Sequence, residues 1–235
     1  MRNALLAGLP PPSFDRLQPW LQRVTLRSGQ VVAETHQPSP HVFFPETGVL
    51  SQVVRLSDGS TVEVNLVGYE GFASLSAYLG DAQAPLDTLV LIAGSFLRMP
   101  SETFREIAAA DAALLDRLHL YTQAVLSVRA CSVGCEARHH VQARLARWLL
   151  KAHDRAAADE FLLTQDVLAM MLGVSRPSVT VNALALQEAG LIQYRRGHIR
   201  VLDRIGLEQA ACECYRTVRA EYDRLMGDGA GLVRR

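Results

Sequence analysis

The spacing of apolar residues changes period at Pro100, and that change confines the chain to folds in which a β part precedes an α part. Ahead of it, "GQVVAET", "HVFFPETGVLSQVVRL" and "TVEVNLVG" are short runs rich in Val and Phe, broken by Gly, Pro and an "SDG" turn signal. "RLSDGSTVEVNL" reads as a hairpin with Asp58-Gly59 at its tip and Val62, Val64 and Leu66 on one face. "DTLVLIAGSFLRMP" supplies a further strand. Short strands at this spacing, without long helices between them, predict a small antiparallel sandwich or roll. A short helix is expected in front of them, at residues 13–21.

Beyond Pro100, residues 101–126 hold no Pro or Gly, and apolar residues recur at helical intervals. Leu114, Leu118, Tyr121, Val125 and Val128 are spaced four, three, four and three, the heptad seam of a helix pair. Such a stripe has two outlets, the same helix of a second copy or the chain's own sheet. Continuing the rhythm reaches Ser132, Cys135 and His139, so the stripe weakens where Gly134 also lowers helix propensity. A second helix is expected from Glu136 to about His153, with Val141, Leu145, Trp148 and Leu149 inward, and "DRAAADE" as the link that follows.

Composition excludes more than it selects. The 235 residues, 49% of them hydrophobic, suffice for one large domain or two modest ones. Lys+Arg 24 balances Asp+Glu 24, yet residues 1–137 carry 9 basic and 13 acidic groups, and residues 138–235 carry 15 and 11. The basic back half is the one suited to phosphate. Pro10, Pro11 and Pro12 interrupt the first apolar patch before a signal-peptide core could form, and no apolar run approaches the roughly 20 residues of a membrane span. A cytoplasmic protein without a membrane partner is the expectation.

Four cysteines, Cys131, Cys135, Cys212 and Cys214, are too few and too unevenly placed for a disulfide scaffold. With both pairs expected in helices, i and i+2 side chains diverge, so neither a metal site nor a cofactor is expected. His139 and His140 read as surface or interhelical residues, and Arg144, Arg147 and Lys151 as a solvated helix face. No nucleophile elbow, metalloprotease motif or phosphate-binding glycine loop is present, which argues against an enzyme.

The densest local signals lie in "LLTQDVLAMMLGVSRPSVTVNALALQEAGLIQYRRGHIRVLD". Thr164 suits the N-cap of a short helix with Val167, Leu168 and Met171 inward, and Gly173 suits its left-handed end. Ser175 or Arg176 starts a second helix, where Pro177 is tolerated because the missing amide would be unpaired anyway. Val179, Leu184 and Leu186 are its core candidates, and Ala189-Gly190 its end. Two short helices joined by a glycine turn describe a helix-turn-helix, leaving Arg176, Ser178, Thr180 and Asn182 at an exposed start whose free amides favour anions. Then "LIQYRRGHIRVLD" reads as strand, basic tip, strand, a wing clustering Arg195, Arg196, His198 and Arg200.

Residues 163–202 resemble the winged helix-turn-helix of the Crp/Fnr family of bacterial transcription regulators, through "T-Q-x-x-L-A-x-x-L-G-V-S-R-x-S-V-T" and "L-x-x-A-G-L-I-x-Y-x-R-G-x-I". The resemblance implies an α+β chain: an N-terminal antiparallel β-roll at 1–110, cupin-like and similar to cyclic-nucleotide-binding domains; a long dimerisation helix at 111–137; and a DNA-binding domain at 138–235. It implies a homodimer on a palindromic site in double-stranded DNA, RNA polymerase as a further partner, and a small-molecule effector of unidentified chemistry. Thr164, Gln165, Ser175, Arg176, Pro177, Ser178, Thr180, Val181, Arg195, Arg196 and His198 are the implied DNA contacts. Arg176 matches the arginine that reads a guanine edge, whereas Pro177 and Val181 depart from base-reading positions and imply a different operator. Leu114, Leu118, Tyr121, Val125 and Val128 are the implied dimer interface.

Gly68, Glu70, Gly71 and Thr88 are the implied effector contacts. At the position where cyclic-nucleotide binders place a phosphate-neutralising arginine stands Leu86 or Asp87, which argues against cyclic AMP or cyclic GMP; Arg55 and Arg98 are the cations that a different register would bring in. The family's oxygen sensors carry an N-terminal cysteine cluster, and no cysteine here precedes Cys131. The alternatives are an effector-sensing or protein-interaction module without operator binding, and a cyclic-nucleotide-responsive regulator. Exposure of the basic groups around Arg176 and Arg195 separates DNA binding from its loss.

Overall fold

The structure is a computed structural model and describes residues 2–156 and 158–227. The last eight residues of the expected 138–235 unit lie outside the described residues. Helices α1 (Ala4–Ala7) and α2 (Pro11–Leu17) precede strands β1 (Gln22–Leu26), β2 (Val31–Ala33), β3 (His41–Pro45), β4 (Val49–Arg55) and β5 (Thr61–Val67). A short helix α3 (Ser76–Leu79) then leads to β6 (Asp87–Ile92) and β7 (Gly94–Pro100). Two antiparallel sheets result, β1-β7-β3 and β2-β6-β4-β5, with Asp58-Gly59 turning the β4–β5 hairpin.

Leu26, Phe43, Leu50, Val67, Val90 and Phe96 fill the space between the sheets. Both sheets are covered on their outer faces as well. Val42, Phe44, Leu97 and Met99 of the first meet the long helices, and Val49, Val53, Leu66 and Leu91 of the second meet the C-terminal domain. Burial from two sides is why β4 is buried at five successive positions instead of alternating.

After Pro100 come α4 (Ser101–Ala110), α5 (Ala112–Arg138) and α6 (Val141–Arg155). Asp111 caps α5 by accepting a hydrogen bond from the Leu114 amide at 3.0 Å. α5 continues through Gly134 to Arg138, so α6 begins at Val141 and not at Glu136. The chain bends at His139 and His140, both extended. β8 (Glu160–Leu162), α7 (Gln165–Leu172), α8 (Arg176–Glu188), β9 (Ile192–Arg195) and β10 (His198–Val201) follow, with a third sheet ordered β8-β10-β9. α9 (Arg204–Ala210) and α10 (Cys214–Met226) complete the described chain.

The heptad stripe expected at a dimer interface is covered within the single chain. Leu114, Leu118, Tyr121, Val125 and Val128 are no more than 2% exposed. They share a core with Leu5, Leu6, Phe72 and Phe104 on one side and with Val218, Tyr222, Leu225 and Met226 of α10 on the other. The Tyr121 hydroxyl donates to the Phe72 carbonyl at 3.1 Å and accepts from the Phe72 amide at 3.2 Å. A period-seven stripe signals an apolar face but not its cover, and here the cover is α10 and the roll.

Candidate nucleic-acid interface

α7 and α8 cross at 105°, within the range of a helix-turn-helix. Thr164 caps α7 by accepting from the Val167 amide at 3.3 Å, and Ser175 caps α8 by accepting from the Ser178 amide at 3.4 Å. Gly173 ends α7 at φ 61°, ψ 39°, a left-handed conformation costly for other residues. Leu168, Met171, Leu172, Val179, Ala183 and Leu186 seat both helices in one core with α6 and the β2-β6-β4-β5 sheet. Leu184, expected inward, is instead exposed.

The outward face of α8 carries Arg176, Pro177, Thr180 and Val181, with Ser178 and Asn182 half-covered. Thr180 Oγ1 donates to Gln165 Oε1 at 2.9 Å, joining the two helices at their exposed edge. Arg176 is 62% exposed and lies 3.4 Å from the similarly exposed Asp166. A solvated pair of this kind contributes little, so it leaves the guanidinium free to exchange partners. Thr164, Gln165, Arg176, Tyr194, Arg196 and Gly197 line a groove between the helices and the wing.

In the wing, β9 and β10 pair Arg195 with His198 across the two-residue turn Arg196-Gly197. Both turn residues have positive φ, 50° and 81°, as a type I′ hairpin requires. Arg195, Arg196, His198 and Arg200 are exposed, while Ile192 and Ile199 anchor the hairpin below. His198 Nδ1 lies 3.1 Å from Glu160 on β8.

Arg144, Arg147 and Lys151, expected on a solvated face, are buried. Lys151 Nζ lies 3.4 Å from Glu63 on β5, and burial lowers its pKa to about 8. Arg144 pairs with Glu136. Lys151 fastens α6 to the roll and Arg144 fastens it to the end of α5; being buried, these three side chains form no part of an exposed basic face.

The expected effector residues separate in the structure. Thr88 lines a cavity of about 490 Å³ with His36, Gln52, Asp81, Thr122 and Arg129. Gly68, Glu70 and Gly71 do not line it. Glu70 is fully buried and accepts from Arg155 Nε of α6 at 2.7 Å and from the Gly68 amide at 3.1 Å, a junction between roll and DNA-binding domain. A side chain at Gly71 would lie 2.2 Å from the Tyr121 ring, so close packing accounts for that glycine. Asp87 accepts from the Thr35 amide at 2.7 Å and from Arg55 Nη2 at 2.6 Å. Burial pushes its pKa upward, but these donors outweigh it and hold the carboxyl below its ordinary value.

The cysteines converge, against expectation. Cys212 lies in the link between α9 and α10, not in a helix, and its Sγ is 3.5 Å from that of Cys135. With Cys212 outside a helix, its Sγ lies within 4.8 Å of that of Cys214 as well as of Cys135, across the α5–α10 contact. Nothing in either local sequence reports this.

Comparison with known proteins follows the same division. Residues 143–210 match the model of the Crp-like helix-turn-helix domain. No curated protein sequence matches the chain. Among solved structures, FixK2 from Bradyrhizobium japonicum superposes with a TM-score of 0.69 at 17% identity, covering 82% of this chain and 98% of its own. The c-di-GMP-responsive global regulator CLP of Xanthomonas campestris gives 0.66 at 15%, covering 82% and 99%. A transcriptional regulator of the CRP family from Thermus thermophilus, TTHB099, gives 0.66 at 19%, covering 81% and 96%. Residues 143–210 thus form a Crp-like helix-turn-helix domain, set in a chain whose roll, long helix and wing share the fold of these regulators.

Proposed function

We propose that the chain acts as a homodimer on a palindromic operator, with α8 in the major groove and the wing on the flanking backbone. The observation that carries this reading is the solvent-facing start of α8, where Arg176, Ser178, Thr180 and Val181 stand beside the unburied wing arginines. Arg176 has the reach and fork geometry for a guanine edge, and Val181 offers an apolar contact for a thymine methyl. Thr164, Gln165 and Ser175, at two capped helix starts, suit phosphate oxygens, as do Arg195, Arg196 and His198. Pro177 orders the first turn of α8 and adds no donor.

A second copy is the partner that fits the outer face of α5. Gln123, Leu126, Ala130, Val133 and Ala137 are exposed at spacings of three, four, three and four, with Leu126 at 59% and Val133 at 71%. The alanines that alternate with Leu126 and Val133 admit close approach of an identical helix. Two chains joined there would present their α8 helices to half-sites about 34 Å apart.

Cyclic nucleotides are not the controlling signal in this reading. The roll's Asp87 is occupied by Arg55 and Thr35, and the cation bordering the cavity, Arg129, comes from α5. The cavity would admit an effector of other chemistry. RNA polymerase is the partner through which operator occupancy would act, in the cytoplasm. Equilibrium binding to an operator fragment and to random DNA over a range of salt tests the reading. Wild type should prefer the operator by about 10³-fold or more and lose affinity steeply with salt; equal, salt-insensitive binding to both would refute it.

A further inference from the structure

Cys135, His139, Cys212 and Cys214 place one ligand atom each within 4.8 Å of all the others. Cys135 and His139 are i and i+4 at the end of α5, hence on one face; Cys212 enters from the α9–α10 link and Cys214 from the first residue of α10. The three thiols are buried and free of disulfides. Cys135 Sγ to Cys212 Sγ is 3.5 Å, and Cys214 Sγ to His139 Nδ1 is 3.7 Å. Zinc bound tetrahedrally, about 2.3 Å from sulfur and 2.0–2.1 Å from nitrogen, sets S···S edges of about 3.8 Å and S···N edges of about 3.6 Å. These two separations are close to such edges, and the remaining ones are within 4.8 Å. The thiols are too close together to span an iron–sulfur cluster, which interposes its own sulfides and several irons.

Two surrounding groups carry the same message. His139 Nε2 lies 3.1 Å from Glu213 Oε1, the carboxylate–histidine arrangement that leaves the other ring nitrogen to a metal. Arg147 is buried beside the cluster, and its Nε and Nη1 have no hydrogen-bond partner among the described residues. Zinc with three thiolates and a neutral imidazole has a net charge of −1, and Arg147 is placed to balance it.

We propose that Cys135, His139 Nδ1, Cys212 and Cys214 bind one zinc ion, which clamps the end of α5 to the α9–α10 link. Binding displaces three thiol protons to solvent and involves no oxidation. Four protein donors close the coordination sphere, so the site is structural. It spans the bend at His139 and His140 and holds the angle between the long helix and the DNA-binding domain. The inference does not depend on operator binding.

The test is metal uptake by the full-length chain, reduced, stripped of metal and titrated with zinc alone against a chromophoric chelator. About one zinc per chain is expected. Cys135→Ser and Cys212→Ser should each weaken uptake about tenfold or more, and Glu213→Gln about tenfold. His139→Cys, which exchanges one zinc donor for another, and Cys131→Ser, outside the four, should retain the ion. Cobalt in the wild-type chain, which needs no variant to fold, should give thiolate charge-transfer and tetrahedral d–d absorption. An octahedral cobalt spectrum, uptake undiminished in both cysteine variants, loss in Cys131→Ser equal to that in Cys212→Ser, or no uptake at all would overturn the proposal. A Cys135–Cys212 disulfide that forms without any zinc uptake would replace it with a thiol switch, and an iron- and sulfide-containing chromophore would replace it with a cluster.

Discussion

Removing Glu70 should unfold the junction between roll and DNA-binding domain, not empty an effector site. The residue is fully buried, and Arg155, 2% exposed, points its Nε at the carboxylate from 2.7 Å. Arg155 also donates from Nη1 to the Lys151 carbonyl at 2.9 Å. Glu70→Ala leaves a guanidinium in a site water does not reach, and breaking one side of a buried pair costs about 3–5 kcal/mol. For a chain of this size each kcal/mol moves Tm by about 2–4 °C, so a fall of about 6–20 °C is expected. Urea unfolding followed by tryptophan fluorescence, to which Trp148 on α6 contributes, gives the free energy directly. Glu70→Leu with Arg155→Met should recover most of the loss, since replacing both charges by apolar groups of similar size is nearly neutral. A loss under about 1 kcal/mol for Glu70→Ala, or additive losses in the double variant, would refute the junction.

Other perturbations separate the remaining roles. Arg176→Ala should weaken operator binding by about 1–3 kcal/mol per half-site and relax preference at one symmetric base pair; equal loss on random DNA would reduce it to a phosphate contact. Arg195→Ala or Arg196→Ala should weaken binding to all sequences alike and make the salt slope shallower by about one unit per contact, and an unchanged slope would return them to a free surface. Val133→Glu should give a folded monomer by sedimentation, whereas Leu118→Glu should destabilise the chain itself; a folded Leu118→Glu monomer would reinstate the inner stripe as the interface. Asp111→Ala should cost about 1 kcal/mol at pH 7. The Leu114 amide bond holds the Asp111 pKa below its unfolded value, so this stabilisation is present above the ordinary carboxylate range and fades as pH falls through the lowered pKa; a difference that persists unchanged at pH 2 would contradict it.

The helix-turn-helix is legible in the sequence because its signals are local. Thr164, Gly173, Ser175 and Pro177 are each required by the backbone within a few residues of themselves. The strands before Pro100 are legible for the same reason. Covering is not. The stripe from Leu114 to Val128 announces an apolar face, but what occupies it is α10, whose residues lie about a hundred positions away. The outer face of α5 alternates Ala and Gln with its Leu and Val and has no comparable signal. Arg144, Arg147 and Lys151 read as solvated because charge usually is. Their burial follows in part from Glu63 and Glu136, acids on other elements that no helical period reveals. The cysteine cluster joins residues 77 apart. Divergence of i and i+2 side chains holds only inside a helix, and the break between α9 and α10 at Cys212 lets its thiol meet those of Cys214 and Cys135.

The central claim is that α8 reads DNA sequence, and the most direct measurement is selection of bound fragments from a random double-stranded library by the purified full-length chain, sequenced beside the same selection with Arg176→Ala. Wild type should enrich a palindrome with half-sites about one helical turn apart, and the variant should lose preference at one symmetric position while keeping the half-site spacing. Wild-type recovery of no motif, or an identical motif from the variant, would contradict the account.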